Sequence, residues 1–335
     1  MVTKDDGSSY SGAHYDTSRT GDIAHPIAWK TGSKPKASAT FTVTPVNTKK
    51  KVKIRGTGGG LWFPMQELMP SAGKITYVAT ASTNALPTTI SAGKIDIAWQ
   101  YSTDNGASYQ PIGSSSNKAY VSLSGEGGIE TVLHLACNYA SGKSTSADAF
   151  TGIWDYFKTK AVARKDGLPM HYWLTTTHGD SSKADLIKNQ DGRCGSWRQL
   201  FVDVLVIQSV NDVAAFRIVT KSGNVAINGK VVAATGKGFT IKPIAGQNTP
   251  LPWGPAVRGF TNHSVAKKGS SLYDPSYGEP YVASDTNQAL IKWEDTAVEG
   301  FHYQYYDADT MSIEIEVLPN KVNLQETEEG VTAVP

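Results

Sequence analysis

Three residues, in the order Cys194, His263, Asp274, have the types needed for nucleophilic attack on a carbonyl carbon. The thiolate is the reactive form of cysteine, so the chemistry needs a base to take the thiol proton. A histidine supplies that base, and a carboxylate on its other nitrogen fixes the imidazole tautomer. The stretch Asp191-Gly192-Arg193-Cys194-Gly195-Ser196-Trp197 is followed by Leu200, Phe201, Val204 and Leu205 at helical spacing. Cys194 therefore falls at or just before the first turn of a buried helix. Free N–H groups and the positive end of the helix dipole lower a thiol pKa there. The Cys194 amide can also face a tetrahedral oxyanion. Taken alone, Cys194 reads equally well as a small buried residue near a helix start.

The histidine and the aspartate need neighbouring strands. Gly259-Phe260-Thr261-Asn262-His263-Ser264-Val265 reads as one strand, Lys267-Lys268-Gly269 as a turn, and Leu272-Tyr273-Asp274 as a second strand. Pro275-Ser276-Tyr277-Gly278 closes it as a Pro/Gly corner. Such a hairpin brings Asp274 beside His263. Gln190, just upstream of the cysteine, and Trp173, through its indole N–H, are candidates for a second oxyanion donor, although either can simply be packing. Trp197, Asn262, Trp253 and Tyr277 are candidates for the substrate cleft, with Trp197 also able to pack under the helix start. Cys137 lies on the apolar face of a predicted helix and is expected to be buried and inert.

The rest of the chain must hold these pieces. It has 335 residues, enough for two domains, with 39% hydrophobic and 19% charged residues. A net charge of +2 argues against a nucleic-acid surface, and the basic run from Lys49 to Lys53 reads as a solvated edge strand. Two cysteines exclude a disulfide framework, and neither has a zinc spacing. No other histidine forms a close metal pair, and Asp307 and Asp309 lack the neighbours of a calcium loop, so no cofactor or metal is expected. No membrane span is expected. The polar start MVTKDDGSSYSG has no signal-peptide core, which reads as a cytoplasmic protein or one exported by a route without such a signal.

Residues 1–36 read as a flexible arm with local order near Ile27-Ala28-Trp29. Residues 37–124 alternate at period two around 39–43, 51–55, 74–78, 94–99 and 119–123, which predicts a small β-sandwich. The stretch 102–109, STDNGASY, fits a single Asp-box and predicts a rigid hairpin. From Gly125 the spacing turns helical, predicting helices over 128–141 and 146–163. Strand-like runs follow at 214–219, 231–233, 239–241 and 312–317. Helices followed by strands indicate an α+β domain over 125–320. Ser141-Gly142-Lys143-Ser144-Thr145 imitates the end of a phosphate loop, but its first glycine position is Cys137 and no strand precedes it. The acidic tail 321–335 is expected to fray.

Cysteine at a helix start, histidine on a strand and aspartate on the next resembles the transglutaminase-like superfamily. That superfamily includes transglutaminases, peptide N-glycanases and bacterial cysteine peptidase-like proteins. The resemblance rests on the phrases at 192–197, 262–265 and 273–278, and covers about 125–320. It implies a papain/transglutaminase-like catalytic domain of helices followed by antiparallel sheet, preceded here by an Ig-like sandwich. It implies an acyl-transfer enzyme working through a thioester on Cys194, with a protein or peptide as substrate. Peptidase or amidase activity is expected; the alternatives are a cross-linking transglutaminase, a deamidase, a delivered bacterial effector, or a binding module with a vestigial triad. The sandwich is a possible surface for a protein partner. The chain departs from the family pattern by lacking a His-Ala-Trp phrase. The long step from Cys194 to His263 implies an insertion over 242–258.

Overall fold

The computed structural model describes residues 1–11, 15–16, 25–81, 84–172, 182–227, 230–242, 259–307, 310–317 and 324–328. The chain divides into two compact units, Met1–Phe150 with Ile207–Ser209, and Thr151–Val206 with Val210–Pro335. The sequence pattern changes at Gly125, but the division falls after Phe150.

The first unit contains β1 (Val2–Thr3), β2 (Ile27–Lys30), β3 (Lys36–Thr42), β4 (Val52–Gly58), β5 (Leu61–Leu68), β6 (Lys74–Thr80), β7 (Ser91–Ser102), β8 (Gln110–Ser122), β9 (Gly128–Ile129) and helix α1 (Glu130–Tyr139). One sheet runs β2-β8-β7-β4-β5, and β3 pairs with β6 in a second. The two sheets share one core, in which Ile54, Phe63, Tyr77, Trp99 and Val121 are buried. Each such side chain contributes about 1.5–3 kcal/mol on burial. The Asp-box stretch is the turn between β7 and β8. Ser102 Oγ donates to Asp104 Oδ1 at 2.6 Å, and the Ser108 amide and hydroxyl donate to the same carboxylate at 3.0 and 2.5 Å.

Residues 1–36 are not uniformly a loose arm. β1 pairs in parallel with β9, and β2 joins the sheet beside β8. Asp5 accepts from the Thr131 amide and hydroxyl, both at 2.9 Å. It thus caps α1, whose own N-cap residue, Ile129, offers no side-chain bond. Ten residues of local sequence give no sign of this partnership, which spans 126 positions.

Helix α2 (Ser146–Phe157) crosses into the second unit, which continues with β10 (His171–Tyr172), α3 (Lys183–Asn189), β11 (Asp191–Gly192), α4 (Cys194–Ile207), β12 (Val213–Thr220), β13 (Gly223–Ile227), β14 (Lys230–Ile241), β15 (Gly259–Phe260), β16 (His263–Lys268), β17 (Ser271–Asp274), β18 (Glu279–Tyr281), α5 (Thr286–Ala297), β19 (Val298–Asp307), β20 (Thr310–Val317) and β21 (Leu324–Glu328). The helix predicted over 146–163 stops at Phe157, because Lys160 takes φ 60° and the Thr159 hydroxyl donates back to the Tyr156 carbonyl at 2.7 Å. The main sheet is antiparallel in the order β18-β17-β16-β12-β21, and a second runs β13-β14-β19-β20 with β15 on β14. Helices with antiparallel sheets make the fold α+β. The tail expected to fray supplies β21, whose residues 324–328 pair with β12.

α4 is buried along Leu200, Phe201, Val204 and Leu205. Phe201 packs edge-on against Trp154 and Phe157 of α2, with centroids 5.4 and 4.9 Å away. Lys183 at the start of α3 ties to α4 twice, through an ion pair with Asp203 and through its amide, which donates to Gln199 Oε1 at 2.8 Å. These contacts fix the direction of the helix that begins at Cys194.

Candidate active site

Cys194 occupies the first turn of α4. The Arg193 carbonyl accepts from the Trp197 amide and from the Ser196 hydroxyl, so the amides of Cys194, Gly195 and Ser196 lie ahead of the helix ladder. Upstream, β11 pairs with β10 in register Tyr172↔Gly192. A Cβ on Gly192 would lie 2.3 Å from Ser196 Oγ and 3.1 Å from Leu186 Cβ, so only glycine lets the chain pass between α3 and α4 at this point.

His263 and Asp274 come from adjacent strands. Instead of one strand over 259–265, the chain breaks into β15 and β16, and β16 runs on through Lys268. A two-residue turn follows, with Gly269 at φ 59°. The register Ala266↔Tyr273 puts Asp274 opposite Val265, diagonal to His263 and on the same face. His263 Nε2 and Asp274 Oδ2 are 2.6 Å apart, and both side chains are fully buried. The other carboxylate oxygen accepts from the amides of Ser276 and Tyr277 at 3.1 and 3.3 Å. The Pro/Gly corner therefore aims Asp274. Gly278, at φ 63°, completes it where a Cβ would meet Lys160 Cγ at 2.9 Å.

Cys194, in contrast, is half-buried as a residue, at the side of a fully buried His263. Burial pushes its thiol pKa up, but the charge of His263, the nearness of its ring and the Ser264 amide outweigh this and hold the thiol below its ordinary value. Burial likewise opposes charge on His263, yet Asp274 and Cys194 raise the imidazole to about 10. His263 Nδ1 is buried and makes no hydrogen bond of ordinary geometry. The Cys194 sulfur is near enough to shift the ring's proton affinity.

The remaining candidates separate. Gln190 is the left-handed cap of α3, at φ 59°, half-buried four residues before Cys194; its carbonyl accepts from the His171 amide at 2.8 Å. Asn262 is half-exposed next to His263, with its amide 3.2 Å from Thr261 Oγ1. Trp197 is buried: its indole N–H donates to the His171 carbonyl at 3.3 Å and its ring packs edge-on against Phe157. Tyr277 is also buried and lies against His263, with ring centroids 5.3 Å apart. Trp173 and Trp253, with residues 243–258 of the expected insertion, lie outside the described residues.

Two residues escaped the sequence reading. Tyr172, fully buried, packs edge-on against Tyr277 at 5.2 Å. Trp293 on α5 stacks on the His263 ring. Nothing in the local sequence of α5 marks Trp293 as more than an apolar helix position.

Cys137 lies in the first unit, completely buried, with Gln208 Nε2 3.6 Å from its sulfur; burial pushes its thiol up to about 12. Among the described residues there is no group of three side chains able to hold a metal ion, and no helix is long and apolar enough to cross a membrane. Compared with protein-family models and with curated proteins, the sequence matches none.

Proposed function

We propose that this chain is a thiol-dependent acyl-transfer enzyme of transglutaminase-like type, acting on amide bonds of a protein or peptide through Cys194, His263 and Asp274. The observation that carries the reading is a buried His263–Asp274 pair at 2.6 Å that shares its electrostatics with a partly exposed cysteine at a helix start.

The Cys194 thiolate attacks the amide carbonyl carbon and forms the C–S bond. The carbonyl oxygen takes the negative charge, which the Cys194 amide at the start of α4 can stabilise. His263, as imidazolium, gives its proton to the leaving nitrogen as the C–N bond breaks, leaving a thioester and an amine. The neutral imidazole then takes a proton from the incoming acceptor as it attacks the thioester carbonyl, the C–S bond breaks, and Cys194 leaves as the thiolate, restoring the starting ion pair. Water as acceptor yields an acid; a primary amine yields a new amide. Hydrolysis is the proposed outcome, and the sandwich of the first unit is a possible docking surface for a protein partner.

The experiment is mass spectrometry of denatured casein after incubation with the wild type or with Cys194→Ala, with and without a primary amine. Peptide cleavage, deamidation and amine incorporation leave different mass changes. The reading expects such a change with the wild type alone. The same change produced by Cys194→Ala would place the chemistry elsewhere.

A further inference from the structure

His263 lies among three aromatic rings. Tyr277 lies at 5.3 Å between centroids, tilted by 31°, and Trp293 at 5.5 Å, tilted by 26°. Phe260 meets the imidazole edge-on, at 6.2 Å and 90°. The two near-parallel rings come from different elements, the corner after β17 and the middle of α5. Trp293 is fully buried, and its indole Nε1 has no hydrogen-bond partner among the described residues. A buried, unsatisfied N–H costs about 1–3 kcal/mol and calls for a reason. The ring's place against His263 supplies one. A cation within about 6 Å of an indole centroid, over the ring face, is attracted by the ring's quadrupole, most strongly where water is excluded.

We propose that Trp293 and Tyr277 are positioning residues that hold the His263 imidazole in its plane and stabilise its protonated form, keeping the proton available for the leaving group. This rests on the reading of Cys194 and His263 as the reacting pair. Neither ring touches the reacting atoms in that scheme; both act through His263. The charged and titratable groups that act on the imidazole are Asp274 from β17 and Cys194 from α4. From α5, Glu294 is buried beside Trp293 and bears on Tyr303. Lys292 points away, its ammonium donating to the Val282 carbonyl at 2.5 Å. Tyr172 packs edge-on against Tyr277.

The sign follows from which states carry the cation. Weakening the aromatic faces destabilises the imidazolium whether Cys194 is a thiol or a thiolate. The loss of the thiol proton within the protonated pair is then little changed, while the imidazolium gives up its own proton at lower pH. The test is the NMR titration of the His263 ring, which requires no substrate and so stands or falls apart from the catalytic reading. Trp293→Leu should lower the midpoint by about one pH unit, and Trp293→Phe by less, for a cation–π contact in a dry site. Because Trp293→Leu removes a large core side chain and can unfold the unit, the decisive variants carry mono-, di- and tetrafluorotryptophan at position 293. Fluorine drains the ring face of electron density with little change of shape. A midpoint that falls stepwise with fluorine content, with the alkaline limb of turnover following it, is the expected result. A midpoint indifferent to fluorination would show that Trp293 merely fills space.

Discussion

At the scale of the residue, the roles proposed for Cys194, His263 and Asp274 make different demands, and their substitutions should fail differently. Cys194→Ala and His263→Ala remove the nucleophile and its base, so turnover should vanish at every accessible pH. Asp274→Asn keeps a hydrogen-bonding group but favours the wrong tautomer and no longer balances the imidazolium. A serine triad loses ~10⁴-fold from such a change; a thiol, being more acidic, should lose less. Initial rates against pH, with circular dichroism to confirm folding, check all three. Cys137→Ala should retain full turnover with a stability loss of about 1 kcal/mol, read from denaturant unfolding, because that thiol is buried in the first unit. The pairing of His263 with Asp274 was legible because a hairpin of that length brings the two side chains together, and the place of Cys194 at a helix start was legible from the apolar spacing behind it. Trp293 and Tyr172 were not, because stacking on His263 or packing on Tyr277 leaves no mark in their own neighbourhoods.

At the scale of the element, apolar spacing located α4 and most of the longer strands of the first unit. It missed β5, where Pro64 interrupts the strand pattern, although Leu61 and Phe63 are buried in the core. It also merged β15 with β16, since no local rule forbids one strand over 259–265; the break comes from β15 pairing with β14 while β16 pairs with β12. The cap of α1 by Asp5 was equally hidden. Asp5→Ala should cost about 1 kcal/mol of stability, the usual value of a lost N-cap, with no change in the rate of Cys194 alkylation. Gly192→Ala tests the passage between α3 and α4. Its Cβ would fall 2.3 Å from Ser196 Oγ, so overpacking should cost about 1–3 kcal/mol and disturb the helix start on which the thiol depends. Thermal unfolding together with Cys194 alkylation rates should register both effects.

At the scale of the whole molecule, the order of the periodic segments indicated an α+β chain with β-rich material ahead of the helices. The division at Phe150 could not be read, because α1 has the apolar spacing of any core helix. It buries Val132, Leu133, Leu135 and Ala136, and its Glu130 accepts from Tyr10, Lys118 and Tyr120, all in the first unit. The active-site ionisation should also mark the stability of the folded chain. His263 binds its proton more tightly folded, with a pKa of about 10 against 6.5 as a free side chain. Its contribution to stability is therefore whole below pH 6.5 and lost as pH rises through about 10. Denaturant unfolding across that window should show the loss in the wild type and not in a folded His263→Gln variant. The most direct test of the whole account is the rate of iodoacetamide labelling at each cysteine, followed against pH by peptide mass spectrometry on the intact, folded chain. The account predicts fast labelling of Cys194 with a midpoint below that of an ordinary thiol, and no labelling of Cys137. Slow labelling of Cys194 with a midpoint near 9, no faster than that of Cys137, would contradict it.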